Sequence, residues 1–101
     1  DLSKEQRAKL KDIEDAAKPR LETLRGEMHA ARERFHETMR NENASEAELR
    51  QVNEAMLKTK GEMMKARFEK MLAVRSLLTK SQLKDFLTKL EQSREARRLE
   101  R

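Results

Sequence analysis

The chain has 101 residues, of which 43% are charged, 36% hydrophobic and only 3% aromatic, and its formal net charge is +5. It contains one Pro, two Gly and no Cys, which excludes disulfides and any zinc site built on sulfur. This composition is typical of a single domain of long exposed helices. Because a monomer with so few apolar residues gains little from burial to offset its folding entropy, we expect self-association.

Several function classes lack the residues that they need. The basic excess is mild and has no interleaved aromatic residues or binding motif, which argues against nucleic acid as a partner. No apolar run approaches the roughly 18 residues of a membrane span. We expect no enzyme, since there is no Cys nucleophile, Gly-rich phosphate loop or Ser-His-acid arrangement. The start at Asp1, without a visible signal peptide, leads us to expect a trimmed or mature form.

The first predicted element is a helix over residues 1–41. It opens with Leu2-Ser3-Lys4-Glu5-Gln6, a capping box in which Ser3 and Gln6 each accept from the other's backbone amide. Pro19 removes one backbone hydrogen bond and predicts a kink between residues 16 and 20, or a break into two helices. Apolar residues recur at steps of three and four, which predicts one buried seam: Ile13, Ala17, Leu21, Leu24, Met28, Ala31, Phe35 and Met39.

The second predicted helix, over residues 45–77, follows a polar turn at residues 41–44. It begins at another capping box, Ser45 to Glu48. Its seam has the same spacing as the first: Leu49, Val52, Met56, Thr59, Met63 and Ala66.

The two seams match when the chain folds back at the turn. This register pairs Leu24 with Met63 and predicts an antiparallel helical hairpin. It also sets Gly26 opposite Gly61, which predicts that the helices approach closely or bend at that level.

A second apolar stripe on this helix is left unused by the hairpin. It requires a partner, which could be the C-terminal helix, a second subunit or a client protein. The C-terminal helix is predicted over residues 79–95, from a third capping box at Thr79 and Gln82 with a Leu78 to Leu83 staple, and residues 96–101 are predicted to fray. The stripe consists of Leu57, Met64, Phe68, Met71 and Leu72, and the C-terminal helix could cover part of it with Leu83, Phe86, Leu87 and Leu90.

Two of the three capping boxes resemble a family signature. Leu78-Thr79-Lys80-Ser81-Gln82, and Leu2-Ser3-Lys4-Glu5-Gln6 with Ser in place of Thr, resemble the paired Leu-Thr-x-x-Gln motifs that flank a helical hairpin in the periplasmic Spy and CpxP family. The resemblance implies an all-α, kinked antiparallel hairpin with a C-terminal helix, assembled as a dimeric cradle. It also implies a periplasmic stress-response chaperone that binds unfolded or misfolded proteins without ATP.

The candidate client contacts lie on the second stripe. Flexible methionines beside positive charges suit many clients, because thioether chains repack easily and charge speeds encounter. The alternative is that these residues belong to a core or a dimer interface. The candidates are Met64, Phe68 and Met71, flanked by Lys65, Arg67 and Arg75.

Metal binding is one alternative, since the same superfamily includes the metal-responsive proteins CnrX and ZraP. His29 and His36 are seven residues apart, about 10 Å along a helix, which is too far to share one ion without outside ligands. With Met28 or Met39 they could contribute to an intersubunit site for copper, nickel or zinc, in a sensor that signals to a membrane protein. A structural coiled-coil adaptor is the other alternative.

Overall fold

The computed structural model describes residues 1–100, which form three helices and no strand. Helix α1 spans Lys4–Arg40, α2 spans Glu46–Leu77 and α3 spans Lys80–Leu99. This confirms the predicted all-α fold of two long helices and a C-terminal helix. Within residues 1–100, no helix has an apolar stretch long enough to cross a membrane.

Each helix begins at one of the three predicted capping boxes. The cap hydroxyl accepts from the backbone of the third helical residue at 3.1 Å in α1 and α2 and at 3.2 Å in α3. The side chain of that residue accepts in turn from the cap amide, at 2.8, 3.3 and 2.9 Å respectively. These bonds satisfy amides that have no partner within the helix, which explains why the starts can be found from sequence. The N-caps are Ser3, Ser45 and Thr79.

The core lies between α1 and α2. Leu24 is fully buried and shares a cluster with Leu21 and Met63, against which Ala17 and Ala66 pack. Leu24 and Met63 therefore meet as the hairpin register predicts. Each buried side chain of this size contributes roughly 1.5–3 kcal/mol, so this seam is the main source of stability for the pair of helices.

The structure shows no break in the first helix at Pro19. Helix α1 continues through Pro19 as a single element. Pro19 and Asp15 are both exposed, so water can satisfy the Asp15 carbonyl that loses its partner.

The predicted close approach at the glycines is wrong, because a Cβ added at Gly26 or Gly61 would meet no atom within 4 Å. Both glycines are exposed, so neither lies on the buried face between the two helices.

Helix α3 is attached differently from the other two. Among residues 1–100, α1 and α2 make the only extensive helix-to-helix contact, and α3 has no buried residue. Its half-buried apolar residues end at Leu90, and every residue from 91 to 100 is exposed. The helix nevertheless continues to Leu99, beyond the predicted end at residue 95, while residue 101 of the predicted tail lies outside the described residues.

Candidate interaction surface

The second stripe of α2 is exposed along its length. Met64 is 62% exposed and Phe68 59%, whereas Val52 and Met63 on the opposite face are buried against α1. The molecule is flat, with Cα extents of 58 × 32 × 15 Å. Since α2 packs against α1 with the face that carries Met63, the stripe on its other face remains open to a partner.

Helix α3 reaches only the C-terminal end of this stripe. Met71 is 37% exposed, the least of the five stripe residues, and it lines a groove together with Phe86 of α3. Leu57, Met64 and Phe68 lie beyond that groove and stay exposed. The predicted cover by the C-terminal helix is thus limited to one end.

The groove lies where α3 diverges from the hairpin and has a volume of about 910 Å³. Its rim carries charges of both signs, with Arg25, Arg67 and Lys70 on the hairpin and Asp85 and Lys89 on α3. Its lining is mainly apolar and comes from all three helices and the segments before α1 and α3: Leu2, Leu10, Leu21, Met71, Val74, Leu77, Leu78 and Phe86.

The six candidate contact residues do not converge on one pocket, and Arg75 is exposed outside the groove. Arg67 and Met71 line the groove, while Met64 and Phe68 continue the surface along α2. Lys65 lies toward a shallower depression between α1 and α2, on the other flank of the stripe. Within residues 1–100, none of the three basic candidates forms an ion pair, so their charges are available to a partner.

The two glutamines of the family motifs bind each other, which sequence reasoning missed because it treated each as a cap. The Gln6 Nε2 donates to Gln82 Oε1 at 2.7 Å, and Gln82 Nε2 donates to Gln6 Oε1 at 3.1 Å. Gln6 Nε2 also donates to the Leu77 carbonyl at 3.1 Å, and Gln82 Nε2 to the Asp1 carbonyl at 3.0 Å. These bonds join the start of α1, the end of α2 and the start of α3.

The residues considered for metal binding are separated by burial. Met28 is buried in the hairpin, whereas His29, His36 and Met39 are exposed. The His36 ring packs edge-on against Phe35, with 5.7 Å between ring centroids. Among residues 1–100, no group of three or more His, Asp or Glu side chains is placed to hold an ion. An intersubunit site therefore stays a prediction, and Met28 would have to leave the core to join it.

Comparison with known proteins gives one match. Residues 1–98 match the family described as LTXXQ motif family protein, a range that includes both glutamine motifs and almost all of the three helices. No curated protein and no solved structure matches the chain.

Proposed function

Because the chain belongs to the LTXXQ motif family, the family of Spy- and CpxP-like periplasmic proteins, we propose that it is a periplasmic chaperone that holds unfolded or misfolded proteins without ATP. Family membership fits proteins of periplasmic stress or metal resistance. The observation that carries the choice of chaperone is the exposed apolar stripe of α2 with unpaired Lys and Arg beside it.

The stripe has the chemistry of a surface for variable partners. Met64, Phe68 and Met71 present apolar area in a row, and contiguous exposed apolar area marks an interaction site. Methionine side chains can adopt many shapes at low cost, so one surface can fit different unfolded segments. Arg67 and Arg75 add a positive field that attracts chains rich in acidic residues.

The same stripe is a less suitable contact between two copies related by a two-fold axis. In such a contact each surface meets its own copy, and since both flanks of the stripe carry basic residues, the Lys and Arg of one copy would come near those of the other. Like charges brought together at an interface are unfavourable. We therefore assign the stripe to clients and expect the homodimer to form through another surface.

The test measures light scattering when a chemically unfolded client is diluted into buffer without ATP, with chelator present and the protein at increasing ratios. We expect suppression of aggregation near stoichiometric amounts. The variant Met64→Ser with Phe68→Ser removes apolar area without adding charge and should lose most of the suppression. Its matched control is Met39→Ser with Leu99→Ser, which removes two exposed apolar side chains elsewhere and should suppress as the wild type does.

Sedimentation of the same variants separates client binding from assembly. Loss of suppression with unchanged mass supports the client surface, whereas dissociation of a dimer by the stripe variant would make the stripe an interface. Full suppression by that variant would contradict its role. A folded wild type that fails to suppress would favour the metal-binding alternative, which calorimetry with copper, nickel and zinc on His29→Ala and His36→Ala would then test.

A further inference from the structure

The glutamine pair supplies the hydrogen bonds that attach helix α3 to the start of the chain. Among residues 1–100, every hydrogen bond that α3 makes to α1 or to the segment before it comes from Gln82. The apolar contacts beside it are partial, since Leu83, Phe86 and Leu90 are only half-buried. A helix with no buried residue depends strongly on the few contacts at its base.

The choice of Gln at both motifs is not explained by capping. The capping box at the start of α2 uses Glu48 in the same position and forms the same two bonds with Ser45. Glutamate is thus a sufficient cap, and what glutamine adds is an amide that donates as well as accepts. Gln6 and Gln82 use this property, because each gives a hydrogen bond to the other.

The link between α2 and α3 is short and extended. Leu78 and Thr79 are the only non-helical residues between the two helices, with ψ angles of 148° and 166°. Rotation about two such residues can swing a rigid helix without breaking its own hydrogen bonds, which is the usual construction of a hinge.

From these three observations we propose that α3 is a hinged arm, that the Gln6–Gln82 pair is the latch that holds it against the hairpin, and that release of the latch widens the 910 Å³ groove. Opening moves Phe86 away from Val74 and Leu77, which line the opposite wall. The apolar lining then becomes more exposed to solvent while α1 and α2 stay packed against each other.

The test measures the distance between the arm and α1 by pulsed electron resonance. The chain has no Cys, so spin labels can be placed uniquely at Lys11→Cys and Ser93→Cys, two exposed positions outside the groove. A reference pair at Glu33→Cys and Lys58→Cys reports on the hairpin alone. Labelled chain is mixed with excess unlabelled chain, so that only distances within one molecule are measured.

The decisive variant is Gln6→Glu with Gln82→Glu. It keeps both caps, removes every side-chain donor of the latch and places two carboxylates where the amides now meet. We expect the arm distance to lengthen and broaden, with the reference distance and the helicity unchanged. Glu48→Gln, the converse change at the unlatched box, should alter neither distance. An unchanged arm distance in the folded double variant would overturn the latch.

If the double variant does not fold, a second measurement tests the hinge on the spin-labelled chain in which Gln6 and Gln82 are unchanged. At increasing urea, a hinged arm should show a broadened arm distance before the reference distance or the helical signal changes. If both distances and the helicity change in a single transition, α3 belongs to the hairpin's cooperative unit and the hinge is wrong. Neither readout uses a client, so failure of the latch and failure of the chaperone proposal are distinguishable.

Discussion

The hairpin and α3 begin with the same local signal but are held in place by different forces. Each starts at a capping box, yet the hairpin then buries Leu21, Leu24 and Met63, whereas α3 has no fully buried residue. It is attached by a pair of amides at its first turn and by half-buried apolar side chains such as Phe86. A capping box therefore fixes where a helix starts, while the apolar seam decides whether that helix becomes part of a core.

The largest expected effect on stability comes from replacing a leucine of the hairpin core by alanine. The same replacement on α3 serves as the comparison. Leu24→Ala should lower the free energy of unfolding by about 2–5 kcal/mol, because it leaves a cavity in the hairpin. Leu87→Ala, at a position 51% exposed on α3, should change it by about 0.5 kcal/mol or less. Urea unfolding followed by circular dichroism measures both. Similar losses at the two positions would mean that α3 shares the core.

Removing an N-cap should have a smaller effect on stability, and hydrogen exchange can show which helix loses it. Ser45→Ala and Thr79→Ala each remove one cap, at a cost of about 1 kcal/mol to the helix that follows. We expect Ser45→Ala to shift the global urea midpoint, since α2 is half of the hairpin. Thr79→Ala should mainly speed hydrogen exchange in the first turns of α3, and client binding should fall only as far as stability does. If Ser45→Ala and Thr79→Ala shift the global urea midpoint equally, α3 unfolds together with the hairpin, which would contradict the difference between the two regions.

Sequence reasoning reached the features that are encoded locally. The four-residue capping boxes located the helix starts, and steps of three and four separated the buried seam from the exposed stripe. It missed the bond between Gln6 and Gln82, because that bond joins residues 76 positions apart and no periodicity predicts it. The pairing of Gly26 with Gly61 failed for the converse reason, since sharing a level does not place two residues on facing surfaces.

The smallest expected effect concerns polar contacts. The hairpin has an ion pair between its helices, whereas α3 is bound by neutral amides, so the two regions should respond differently to salt. Arg20 donates to Glu62 across the hairpin at 3.1 Å, and both side chains are partly exposed. Such a pair contributes about 0.2–1 kcal/mol, which salt screens. Arg20→Gln should therefore lower the urea midpoint at low salt and have almost no effect near 1 M, where the screening length is about 3 Å.

The matched control is Lys18→Gln, which removes a longer contact of 3.9 Å to Glu22 within one helix and should have the smaller effect. The latch is a contact between neutral amides, so salt should leave the distance between the arm and α1 unchanged while it weakens the Arg20 effect. An arm that opens as salt rises would show that rim charges such as Asp85 and Arg67, rather than the glutamines, hold α3 in place.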